Sequence, residues 1–86
     1  MKDVPITISG MDLEFDAARA ITKILAEQGD PETMLVAWYD KATNNHSPCC
    51  IKCQIGDTPG WEVYARNHGG RLRFDINDGA HIFIYT

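Results

Sequence analysis

Val4-Pro5-Ile6-Thr7-Ile8-Ser9 alternates apolar and polar side chains and stops at Gly10. That pattern predicts a strand, with Pro5 near its start where a missing N–H is tolerated. The period then lengthens. Ala17, Ala18, Ile21, Ile24, Leu25 and Gln28 recur at three- and four-residue spacing, which predicts a helix beginning between Asp12 and Asp16. Asp12, Glu14 and Asp16 crowd its first turn, where the helix dipole favours negative charge, while Gly29 and Pro31 bring it to a stop. The run Thr33 to Asp40 is rich in strand formers and is expected to show Met34, Val36 and Trp38 on one face. A polar stretch, Lys41 to Pro48, reads as loop. Asp57-Thr58-Pro59-Gly60 announces a second helix, with Thr58 as N-cap and Pro59 in the first turn. Trp61, Tyr64, Ala65 and His68 follow at i, i+3, i+4 and i+7.

The chain closes on a hairpin around Asp78-Gly79. A two-residue turn sets Arg73 opposite Ile84 and Asp75 opposite Ile82. A three-residue loop, Asn77-Asp78-Gly79, sets Phe74 opposite Ile82, Leu72 opposite Ile84 and Asp75 opposite His81. The second register keeps each face uniform and is the one expected. The element order is then βαβαββ. The simplest solution is a single α+β domain over residues 1–86. It is a two-layer sandwich with a mixed four-stranded sheet, both helices on one face, and an insertion at about 44–56 after the second strand.

Composition narrows the function. With 86 residues, 44% of them hydrophobic and 23% charged, the chain has an ordinary globular make-up. No apolar run approaches the roughly 20 residues a membrane span needs, and the first ten residues lack an apolar signal core. The net charge of −4 is uneven: residues 1–40 carry eight acidic and three basic side chains. Positive charge is too sparse for direct nucleic-acid binding. The three cysteines fall within Cys49-Cys50-Ile51-Lys52-Cys53. An odd, clustered set is not a disulfide framework, and it suggests thiols in the cytoplasm.

Several short motifs resemble the TusA/SirA-like sulfur-carrier family of βαβαββ domains. Ile8-Ser9-Gly10-Met11 resembles its first turn, Asp40-Lys41-Ala42-Thr43 its Asp-Pro-Ala-Thr, and Asp57-Thr58-Pro59-Gly60-Trp61 its Asp-Ile-Pro-Gly-Phe. His68-Gly69-Gly70 sits where the family's second helix ends. The C-terminal half also resembles small uncharacterised microbial domains. The resemblance implies a sulfur carrier working with a protein donor or acceptor. The family's cysteine, in a Cys-Pro pair opening helix 1, would fall at Leu13-Glu14, where this chain has neither residue and three acids surround the site.

That departure shifts attention to the insertion, and three readings stand open there. In the first, Cys50 or Cys53 is a thiol acceptor whose thiolate is stabilised by Lys52 and His46, with Lys41 nearby. In the second, His46, Cys49, Cys50 and Cys53 supply ligands to a zinc ion, with His68 or His81 completing the set. In the third, Cys49 and Cys53 share an extended face with Ile51 and Ile55 and merely pack. No phosphate loop, dinucleotide fingerprint or nucleophilic triad is present. His81 beside Asp75 reads as a surface pair, His68 as a helix cap, and Trp38, Trp61 and Tyr64 as core. The functional expectation is a small partner-binding or sulfur-carrier-like protein without a cofactor. The alternatives are a binding module that has lost that chemistry and a zinc-stabilised domain.

Overall fold

The computed structural model describes residues 1–49 and 56–86. The elements are β1 (Lys2–Ile6), α1 (Phe15–Gly29), β2 (Leu35–Asp40), β3 (Asn45–Ser47), α2 (Gly60–Asn67), β4 (Leu72–Ile76) and β5 (His81–Tyr85). Among the described residues they form one mixed five-stranded sheet in the order β1-β4-β5-β2-β3. The α+β class follows from the sequence; the sheet has five strands instead of the expected four, because Asn45–Ser47 pairs with β2 as β3, and the arrangement differs in three further respects.

The first is the layering. Phe83 and Tyr85 of β5 join Ala18 and Ala26 of α1 in one core, whereas Ile82 and Ile84 join Trp61 and Ala65 of α2 in another. Neighbouring strand residues point to opposite faces, so the helices cover opposite faces of the sheet rather than the same one. The strand order explains why. β1 is separated from β2 by β4 and β5, so α1 crosses the sheet in one direction and α2 returns in the other. Crossovers of one hand that run in opposite directions place their helices on opposite faces. Both helices would share one face, as expected, only if the two crossovers ran in the same direction.

The second is the hairpin. Ile76 lies opposite His81, Asp75 opposite Ile82 and Arg73 opposite Ile84. This is the register that had seemed to mix charge with apolar groups. The charges are answered by α2 instead of by the facing strand. Arg73 Nε donates to Glu62 Oε1 at 2.7 Å, and its Nη1 lies 3.4 Å from Asp75 Oδ2. β5 is buried on both faces, so the sequence His81 to Tyr85 has no solvent side to preserve. The turn itself is left-handed at three successive residues, Asn77, Asp78 and Gly79, with φ of 52°, 54° and 89°. Asn, Asp and Gly are the residues that tolerate this region. Ala80 N–H closes the turn onto Ile76 O at 3.0 Å, and Gly79 N–H donates to Asp75 Oδ1 at 2.6 Å.

The third is α1. Its buried stripe is Ala18, Thr22 and Ala26, while Ile24 is 62% exposed and Leu25 36%. Small side chains bring the helix close to the large residues of the sheet, Phe74, Phe83 and Tyr85. The Thr22 hydroxyl donates to Arg19 O at 3.0 Å and lies 2.9 Å from the Tyr85 hydroxyl, so its burial is satisfied. On β2 a register shift between Leu35 and Ala37 puts Val36 with the α2 core and Trp38 with the α1 core, and Met34 is exposed. The three residues therefore do not share a face.

Candidate functional site

An open groove of about 760 Å³ lies on the α2 face, at the edge of the sheet where β2 and β4 end. The strand register builds its floor. Asp75, Ile82, Tyr39 and His46 follow one another across β4, β5, β2 and β3, and paired residues share a face. Ile82, Tyr39 and His46 of this row line the groove. Trp61 stacks on Tyr39 with ring centroids 5.4 Å apart and planes only 5° from parallel. One wall is the chain from Asp57 to Glu62, which enters α2 through Pro59 as N-cap, with no side chain capping the helix. Thr58, the expected cap, stands one position earlier. The end wall comes from two turns, the one after β2 with Lys41 and Asn44 and the one after β4 with Asp78 and Gly79. Lys41 N–H donates to Ala80 O at 3.1 Å, which binds these turns side by side.

The charges fall into two kinds. Glu62 and Arg73 are largely shielded, with side chains 12% and 20% exposed. Arg66 and Asp3 extend their network, Arg66 Nη2 to Glu62 Oε2 and Arg73 Nη1 to Asp3 Oδ1, each at 3.6 Å. Lys41, Asp57 and Asp78 are exposed, and they bring both signs of charge to the rim.

The sequence candidates fall partly inside this picture. His46 lines the groove, and its Nδ1 lies 3.0 Å from Pro48 O, to which it donates. Lys41 lines it as well. The stretch expected to be loop and insertion holds β3, antiparallel to β2, with Ser47 opposite Trp38. The chain therefore turns back along β2, and Cys49 follows β3. Cys49 is exposed and free. Cys50, Lys52 and Cys53, together with Ile51 and Ile55, lie outside the described residues. Among the described residues no three His, Cys, Asp or Glu side chains are grouped to hold a metal ion. His68 forms the C-cap of α2, as expected, with Nδ1 donating to Tyr64 O at 2.7 Å and the two rings stacked. Trp61 is core at 5% exposure.

His81 is the residue most misjudged from sequence. It is buried, pairs across the sheet with Asp40 rather than Asp75, and faces α1. Its Nδ1 is 3.4 Å from Asp40 Oδ1, and its Nε2 donates to Leu13 O at 3.1 Å. Thr43 Oγ1 donates to the other carboxylate oxygen of Asp40 at 3.0 Å. The sequence signal for this pair is the unbroken apolar run Ile82-Phe83-Ile84-Tyr85 that follows His81, which reads as a strand buried on both faces and demands a partner for its imidazole.

Comparison with known proteins speaks to fold. A family model described as a domain of unknown function (DUF5619) matches residues 1–85. The crystal structure of a novel protein from Archeoglobus fulgidus superposes with a TM-score of 0.81 at 24% identity, covering 100% of this chain and 93% of the other. No curated protein matches the chain. No helix among the described residues is long and apolar enough to cross a membrane.

Proposed function

Because the chain belongs to the DUF5619 family, a domain of unknown function, we propose its role from the groove: a small cytoplasmic binding domain that holds a polar small molecule between α2 and the two turns. The groove carries this reading. Its volume of about 760 Å³ falls within the roughly 300–1,000 Å³ of small-molecule sites. Its floor is apolar and aromatic, and polar groups of both signs converge at its rim. Such a site suits a molecule with a flat or apolar body and charged ends. The test is the amide spectrum of labelled protein titrated with amino acids, nucleosides and inorganic phosphate as separate probes. Shifts should concentrate at Lys41, Asn44, Thr58 and Gly79, and Lys41→Glu should weaken them. Probes that all leave these amides still, or that move only residues of the α1 face, would overturn the reading.

A second reading is thiol chemistry of the sulfur-carrier kind, favoured by the placement of exposed Cys49 three positions after groove-lining His46. A thiolate among Cys49, Cys50 and Cys53 would attack the terminal sulfur of a partner's persulfide, become the persulfide itself and release the partner as thiolate. Alkylation rates against pH, read for each cysteine by mass, decide it. Reaction of all three only above about pH 8 sinks it.

A further inference from the structure

The carbonyl of Leu13 has only lone pairs to offer, so the His81 Nε2 that meets it at 3.1 Å carries a hydrogen. The other ring nitrogen then decides the state of the site. Nδ1 faces Asp40 Oδ1 at 3.4 Å, and both atoms are shut off from solvent without a hydrogen-bond partner. A neutral ring would set the Nδ1 lone pair against a carboxylate lone pair, two acceptors opposed in a dry place. A single proton on Nδ1 turns this opposition into an imidazolium–carboxylate pair.

The surroundings leave Asp40 as the partner. β4 presents Ile76 beside His81, and the segment entering α1 presents the Leu13 carbonyl and the Phe15 ring, 6.2 Å away. The acids of that segment, Asp12, Glu14 and Asp16, are exposed, as is Lys41 beyond Asp40. Asp40 in turn anchors the groove-lining turn. Its Oδ2 accepts from Thr43 Oγ1 at 3.0 Å, and Asn44, with φ of 55°, closes that turn by donating its N–H to Lys41 O at 3.3 Å.

We propose that Asp40 and His81 hold one dissociable proton between them and that this proton sets the turn presenting Lys41 and Asn44, a regulation of the groove that rests on the binding reading above. With the proton in place, the pair ties β5, the turn after β2 and the entry of α1 together. When it is lost, Asp40 is pushed from the ring and the turn loses its anchor. The arrangement tightens on acidification and loosens as pH rises.

The experiment uses the protein alone, so its outcome is separate from whether the groove takes any probe. Ring-nitrogen and backbone-amide spectra are recorded from about pH 5 to about pH 9, the range of histidine chemistry. His81 should be doubly protonated at the acid end, and the amides of Thr43 and Asn44 should shift along its titration curve. In Asp40→Asn, the amide donates to neutral Nδ1 and its oxygen still accepts from Thr43, so the ring should stay neutral and the turn should lose its response. A turn that stays still while His81 titrates, or an Asp40→Asn protein that keeps the full response, would overturn the proposal. Thr43→Val carries the test if Asp40→Asn fails to fold. It should leave the ring's titration intact and abolish the turn's; a turn that still follows the ring sinks the coupling.

Discussion

The two faces of the sheet are built from the same strands and solve different problems. Under α1 the sheet presents Phe74, Ile76, Phe83 and Tyr85, and the helix answers with Ala18, Thr22 and Ala26. Large strand residues meet small helix residues, and Ala18, Ala26, Ile76 and Phe83 are fully buried there. Under α2 the same two central strands present Arg73, Asp75, Ile82 and Ile84, and the helix answers with Glu62, Trp61 and Ala65. That face mixes ion pairs with apolar contacts and stays open at one end as the groove. Strand alternation lets one stretch, Leu72 to Ile76, serve a core on one side and a charge network on the other. The buried aromatic core lies on the first face, and the groove whose binding role we propose lies on the second.

Truncation tests this division most sharply. Phe83 is fully buried in the α1 core, and Phe83→Ala should cost about 3–5 kcal/mol, read from denaturant midpoints. A loss near 1 kcal/mol would mean that the layer collapses around the gap and is not close-packed. On the other face, Glu62→Ala strands Arg73 and should cost about 1–3 kcal/mol, because a mostly buried guanidinium loses its best partner. Salt should narrow the gap only slightly. A neutral result would show that Asp75 and Asp3 suffice. Between the faces, Gly79→Ala should cost about 1 kcal/mol. Its φ is 89° and no atom lies within 4 Å of an added Cβ, so the whole cost is conformational. An unchanged midpoint would mean that the turn relaxes out of the left-handed region.

The smallest effect depends on pH. Burial raises the Tyr85 phenol above its ordinary value of 10.0, and the Thr22 hydrogen bond offsets this in part. The folded state therefore keeps the proton longer than the unfolded chain. Tyr85's contribution is complete below pH 10 and is lost as pH rises through the folded value. Tyr85→Phe should be less stable by about 1 kcal/mol near neutrality, for the lost hydrogen bond. Its deficit should shrink above about pH 10. A constant deficit at both pH values would show that the phenol ionises without penalty.

Much of the local structure was legible in the chain. Periodicity located both helices, and Asp78-Gly79 located the hairpin, because those signals are carried by neighbours in sequence. The layering was not legible, since it depends on which strands are adjacent. Leu72 to Ile76 carries charge at every second position, and sequence alone cannot show that Glu62 will arrive from a helix to meet it. The same limit hid the site. Lys41, Thr58 and Trp61 belong to motifs that stood out as strings, but only the register of four strands makes them walls and floor of one groove. Asp40 and His81 became partners through the β2–β5 pairing, 41 positions apart in the chain.

The pairing of β1 with β4 bears on the order in which this chain can acquire structure. Lys2 aligns with Leu72, and Ile8 N–H donates to Asn77 Oδ1 across 69 positions. The strand made first therefore waits for almost the whole domain before it has a neighbour. Closing so large a loop pays its entropy before any contact repays it. The central hairpin of β4 and β5, which is local, is the natural nucleus, with β2 and α1 gathering on it and β1 arriving last. A chain cut just before His81 would keep β4 but have no β5, and hence no seam to which either half of the sheet could attach.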